Sequence, residues 1–182
     1  MAKQLAKEKN KKYKTTNKKL TLANEQEIAL LRLEKSKPPI AMDNKYTNST
    51  AGYRRPANQL TSMEKLEMVT KGVTKADLEI LKKRAGLDYD TLAKGLSTSR
   101  AALINVKGDN TFNFSVSEKI IGLEDIYSYG YEVFGDMERF NQWMFRPNKA
   151  LGNQAPFDLV NNQFGREEVK NLVGRIDYGV YA

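Results

Sequence analysis

The 182-residue chain carries a formal net charge of +8 and contains neither cysteine nor histidine. Those absences exclude a disulfide framework, thiolate chemistry, histidine metal ligands and every Ser-His or Cys-His nucleophile pair. No apolar run approaches the roughly 20 residues of a membrane span, and the lysine-rich start lacks the apolar core of a secretory signal, so the expected location is the cytoplasm.

Charge falls along the chain. Residues 1–61 hold 14 Lys+Arg against 5 Asp+Glu, residues 62–112 hold 9 against 7, and residues 113–182 hold 7 against 10. The basic balance therefore belongs to the first third and suits a polyanion, while the acidic last third suits a different partner. Residues 1–19 contain eight lysines and one glutamate, Glu8, with no helical apolar face. Such a segment buries too little surface to offset its ordering entropy, so a basic, largely disordered extension is expected. Two readings stay open for it: a solvated tail, or an arm that gains nucleic-acid affinity by counterion release. Asn24 as cap, Glu25 and Glu27 in the first turn, and Leu30, Leu31 and Leu33 predict one short helix over residues 21–35, ended by Pro38 and Pro39. Residues 41–61, with Asp43, Asn44, Gly52, Pro56 and Asn58, read as linker.

From Ser62 the pattern is helical. Met63, Leu66, Met68 and Val69 predict a helix ending at Gly72. Thr74 caps a second over Lys75–Ala85, with Leu78, Ile80 and Leu81 inward and Gly86 as C-cap. Asp88 or Asp90 opens a third, which buries Leu92, Ala93 and Leu96. After the Leu96-Ser97-Thr98 turn, Ser99 to Lys107 form a fourth with Ala102, Leu103 and Val106 inward. Two short helices joined by such a turn make a helix-turn-helix pattern. If it binds DNA, Thr98, Ser99, Arg100, Asn105 and Lys107 are the candidate contacts, with Arg100 suited to guanine or phosphate. Otherwise these residues are the solvated face of a packed helix.

Residues 108–114 read as a loop. Ser115-Val-Ser-Glu118 spells a capping box and is expected to start a long helix running to about Phe134. Ile120, Leu123, Tyr127, Gly130, Tyr131 and Phe134 make it the spine, and Gly130 on that face predicts a close helix crossing. Asp136 caps the next helix, which carries Phe140, Trp143 and Met144 and stops before Pro147. Pro156 opens a short turn, Asn161 and Asn162 break it, and a last helix over Gly165–Arg175 buries Val169, Leu172 and Val173. The end, with Tyr178 and Tyr181, reads as a tail. No strand alternation or repeat is present, so the fold class is all-α. Glu132, Asp136 and Glu138 read as caps and dipole partners rather than a catalytic pair, and no glycine-rich phosphate loop follows a strand; no enzyme activity, cofactor or metal is expected.

From about Gly72 onward the chain resembles the Xre-like antitoxins whose C-terminal part is the MbcA/ParS/Xre toxin-binding domain. The resemblance rests on Leu92-Ala93, Ser99-Arg100-x-x-Leu103 and Ser117-Glu118-Lys119, then Glu132-Val-Phe-Gly-Asp136, Trp143-Met-x-x-Pro147-Asn148 and Ala150-Leu-Gly152. It continues through Pro156-x-x-Leu159, Gly165-x-x-x-Val169 and Gly174-Arg-Ile-x-Tyr-Gly-Val-Tyr-Ala182. It implies a type II toxin–antitoxin system: a RES-domain toxin that consumes NAD, blocked at its active site by the antitoxin's C-terminal domain, and promoter DNA bound by the helix-turn-helix. It also implies a homodimer or a higher hetero-oligomer with the toxin. The expected organisation is a basic extension and linker (1–61), an Xre-like helix-turn-helix domain (62–114) and a toxin-binding domain (115–182). Ala101, Ala102, Ile104 and Asn105 stand where the family commonly has a threonine and more basic residues, and the 1–61 extension lies outside the family pattern. Interfaces concentrate energy in Trp, Tyr and Arg. Trp143, Arg146, Asn148, Leu151, Arg175, Tyr178 and Tyr181 are the candidate toxin contacts, with Trp143 equally suited to the core. The alternative function is a stand-alone helix-turn-helix regulator without a toxin partner.

Overall fold

Local signals in the sequence start and stop most of the helices. The computed structural model describes residues 55–106 and 110–179, and the helix expected over residues 21–35 lies outside them. Eight α-helices follow in order: α1 Ser62–Lys71, α2 Lys75–Ala85, α3 Tyr89–Gly95, α4 Arg100–Ile104, α5 Phe114–Phe134, α6 Met137–Met144, α7 Pro156–Leu159 and α8 Gln163–Tyr178. Short 3-10 turns cover Ala57–Gln59 and Lys149–Leu151, and the described residues form no strand beyond isolated bridges. The all-α class is as the sequence indicates.

Thr61 with Glu64, and Thr74 with Asp77, form reciprocal capping boxes at α1 and α2, so each satisfies amide protons that the first turn leaves free. Asp88, Ser99 and Asp136 cap α3, α4 and α6, and Gly86 ends α2 in the left-handed conformation. Three helices are bounded differently from expectation. α4 ends at Ile104, with Asn105 as its C-cap, rather than running to Lys107. α5 starts at Phe114, because the Asn113 side chain accepts the Val116 amide proton at 2.9 Å. Ser115 lies inside the first turn, and Glu118 turns away to pair with Arg166. α8 starts at Gln163 under an Asn162 cap and runs to Tyr178, where left-handed Gly179 ends it. Tyr178 thus belongs to the last helical turn rather than to a tail. Some inward assignments also fail: Ile80 and Ala102 are exposed.

α5 is the spine. Along it Ile120, Leu123, Ile126 and Tyr127 are at most 1% exposed. α1 lies along it antiparallel, with Val73 close to Ser117 and Lys65 close to Asp125. α8 runs parallel to it, through Arg166 to Glu118, Lys170 to Asp125 and Gly174 beside Tyr129. Ala57 and Leu60, in the stretch that reads as linker, are buried, and the turn carrying Ala57 packs on α5.

α6 folds back onto α5 at Gly130. Phe140 is fully buried there, with its ring 5.1–5.5 Å from those of Tyr127, Tyr131, Phe134 and Trp143. Burying one phenylalanine contributes about 1.5–3 kcal/mol. The approach requires a glycine, since a Cβ on Gly130 would sit 2.1 Å from the Phe140 ring. The close crossing expected at Gly130 is therefore present.

Charged groups are also used inside. Arg84 pairs with Glu124, both largely buried, and Asp125 accepts Lys65 and Lys170 at 2.6 Å each. Tyr131 ties three helices at one point: its hydroxyl lies 2.9 Å from Asn141 Oδ1 and 3.1 Å from the Arg84 carbonyl, which also accepts Asn141 Nδ2. That carbonyl is in the last turn of α2, where helical partners run out.

Candidate functional site

Two surfaces carry the residues singled out by the sequence. The first is formed by α3, its turn and α4. Leu96 and Leu103 are fully buried and hold the two helices together. Ser97 takes a left-handed φ of 46° at the turn, and its hydroxyl donates to the Asn161 carbonyl at 3.0 Å. Lys94 pairs with Asp158 of α7 at 2.8 Å, so the C-terminal helices brace this unit. Thr98 is half-buried and Ser99 is exposed. Ser99 spends its oxygen on the cap, accepting the Ala102 amide proton at 3.0 Å. Arg100 is exposed and donates from Nη1 to Asp90 Oδ2 at 2.8 Å. Asn105 is exposed and sits at the other end of α4. Lys107 lies outside the described residues. The N-terminal end of α4 offers one long cationic side chain, Arg100, beside the exposed methyls of Ala101 and Ala102.

The second surface is built by α5, the elbow after α6, and α8. On the elbow, Phe145, Arg146 and Pro147 are exposed. Phe145 stacks on Phe157 at 4.7 Å, and Arg146 Nη2 donates to Gln142 at 3.4 Å. Asn148 is half-buried and closes the elbow. Its side chain accepts the Ala150 amide proton at 2.9 Å, its amide donates to the Gln154 carbonyl, and its carbonyl accepts Asn153 N–H. Its polar groups thus hold the loop in shape. Leu151 is half-buried, and Gly152 beside it is left-handed. Trp143 is also half-buried, with its ring stacked 5.5 Å from Phe140. Phe134, Phe140 and Met144 are core, as expected.

Arg175 and Tyr178 lie together further along α8. They face Tyr129 and Glu132 of α5 and the turn residues Asn58 and Gln59 across an open groove of about 820 Å³. Asn58 Nδ2 donates to Glu132 Oε2 at 2.6 Å. Burial, and then the carboxylate of Asp177, push the Tyr129 hydroxyl above its ordinary value. Tyr178 is 82% exposed, one of the most exposed aromatic residues described. Tyr181 lies outside the described residues. The groove thus joins Arg175 to Tyr178, while Arg146, Asn148 and Leu151 belong to the elbow. Sequence reasoning missed Asn58, Tyr129 and Glu132. The usable signal was the register of α5, in which Tyr129 and Glu132 fall off the buried stripe of Tyr127 and Tyr131. Among the described residues no cluster of three or more carboxylates is disposed to hold a metal, and no helix is long and apolar enough to cross a membrane.

Part of this second surface falls within a known kind of domain. Residues 130–179 match the family described as the antitoxin Xre/MbcA/ParS C-terminal toxin-binding domain. The match begins at the glycine of the α5–α6 crossing and ends at the cap of α8, so it takes in the elbow, Arg175 and Tyr178. Two proteins named Antitoxin Xre are similar to the chain. One, from Photorhabdus laumondii, is 31% identical over 74 residues, 40% of this chain and 50% of that protein. The other, from Yersinia enterocolitica, is 32% identical over 75 residues, 41% and 51% respectively. The chain spans about half the length of the curated relatives it matches. Residues 130–179 are thus similar to that toxin-binding domain, and part of the chain is similar to proteins named Antitoxin Xre.

Proposed function

We propose that the protein is the antitoxin of a type II toxin–antitoxin system, acting in the cytoplasm without enzymatic activity of its own. It binds a RES-type toxin that consumes NAD and blocks that enzyme's active site through the 115–182 segment. The observation that carries the reading is the toxin-binding family match over 130–179, which contains the exposed Arg175 and Tyr178. Arg175, Tyr178 and Tyr181 are assigned to the toxin, with Arg146, Leu151 and the edge of Trp143 as a second contact. Asn148 acts there by shaping the elbow. The α3–α4 unit, through Arg100 with Thr98, Ser99, Asn105 and Lys107, binds the operon's own promoter, and the working form is a homodimer or a higher hetero-oligomer with toxin.

The test is co-expression with the product of the neighbouring gene, scoring growth, cellular NAD and co-purification. Restored growth and NAD with a stable complex are expected. Undiminished toxicity would refute the antitoxin reading. Promoter binding in that case would leave the stand-alone helix-turn-helix regulator.

A further inference from the structure

The Arg100–Asp90 pair joins the first turn of α3 to the first residue of α4, so it lies at the N-terminal ends of both helices of the motif. Only Nη1 of Arg100 is engaged; Nη2 and Nε take no hydrogen bond among the described residues. A second carboxylate, Asp88, lies within electrostatic reach of the same guanidinium while its oxygen caps α3 through the Thr91 amide at 2.7 Å. The fold does not need the Arg100–Asp90 pair. Its side chains are 59% and 66% exposed, and exposed pairs of this kind contribute little.

Resting on the promoter-binding reading above, we propose that Asp90 is a positioning residue that makes Arg100 a reader of base edges rather than a clamp on phosphate. An unrestrained arginine at a DNA surface takes the nearest phosphate, which adds affinity without sequence information. A carboxylate 2.8 Å from that arginine repels an incoming phosphate oxygen. The edge of a guanine carries no net charge and meets no such penalty. The same hydrogen bond orients the guanidinium plane, so less side-chain freedom is lost when the free N–H groups reach O6 and N7. Asp90 thereby lowers affinity for arbitrary DNA and raises the preference for the right sequence.

The experiment uses the full chain as wild type, Asp90→Asn, Arg100→Ala and the double variant. Fluorescence anisotropy measures binding to a duplex from the region upstream of its own gene and to a scrambled duplex of equal composition. Asp90→Asn is expected to tighten scrambled-duplex binding and to lower the own-to-scrambled affinity ratio by roughly two- to tenfold, the range set by ordering one arginine side chain. In the Arg100→Ala background the same change is expected to leave the ratio untouched. An unchanged or increased ratio in Asp90→Asn overturns the proposal. So does an equal fall in the Arg100→Ala background, which would mark a plain charge effect. A wild type that binds both duplexes alike, or neither, refutes the promoter-binding reading itself and the proposal with it.

Discussion

Replacing Gly130 by alanine sets two effects of opposite sign against each other at one atom. Alanine favours a helix interior over glycine by about 1 kcal/mol, and Gly130 lies within the 21-residue α5. An added Cβ, however, would lie 2.1 Å from two Phe140 ring carbons and 2.5 Å from a third. Carbon atoms rest about 3.5–4.0 Å apart, so α6 would have to retreat by more than 1 Å. The ring has no free direction, being packed by Tyr127, Tyr131, Phe134 and Trp143. Overpacking of this kind costs about 1–3 kcal/mol and sometimes more, and it outweighs the propensity gain because the strained neighbour is a rigid ring rather than a flexible chain end. Gly130→Ala is therefore expected to lower stability by about 1–3 kcal/mol, read as a fall in urea midpoint at unchanged m-value. Gly130→Ala with Phe140→Leu is expected to be less destabilised than the two single changes added together, because each relieves the other. A Gly130→Ala protein as stable as wild type, or a strictly additive double variant, would refute the close-crossing argument.

Other outcomes follow from buried hydroxyls and from the groove. Tyr127 is fully buried, and its hydroxyl has no hydrogen-bond partner among the described residues. Deleting an unsatisfied buried group relieves a cost of about 1–3 kcal/mol. Tyr127→Phe should thus raise the urea midpoint, and a lowered midpoint would contradict the assignment. Burial pushes the hydroxyls of Tyr127 and Tyr131 above the ordinary tyrosine value, and burial with the Glu79 contact raises Tyr89 to about 12. With folded values above unfolded ones, the unfolded chain loses these protons first. Their stability contribution is therefore full below pH 10 and is lost as pH rises toward the folded values, by up to about 1.4 kcal/mol per pH unit for each buried tyrosine. Stability measured against pH should fall above pH 10 and fall less steeply in Tyr127→Phe; a flat profile to pH 12 would refute this. Arg175→Ala and Tyr178→Ala, both at exposed positions, are expected to weaken toxin binding at least tenfold by calorimetry, as hot-spot losses of about 2 kcal/mol do, with thermal stability nearly unchanged. Intact binding by both would remove the groove from the interface.

The sequence by itself determined where most helices begin and end. Those are local decisions made by a few side chains and the backbone next to them, as at Thr74, Asp136 and Gly86. It also marked Gly130, because a glycine on an apolar helical stripe has few other reasons to be there. Where two local signals competed, only the packed structure chose between them. Asn113 won over Ser115 because Ser117 is fully buried, accepting the Val73 amide and donating to the Phe112 carbonyl at 3.0 Å each. Glu118, which a capping box would have used, is held instead by Arg166, 48 residues away. The groove was not legible for the same reason. Asn58, Glu132 and Arg175 are distant in sequence, and a turn near residue 58 meets α8 only because both pack on α5. Local chemistry fixes the elements, and long-range burial fixes which of their exposed faces become neighbours.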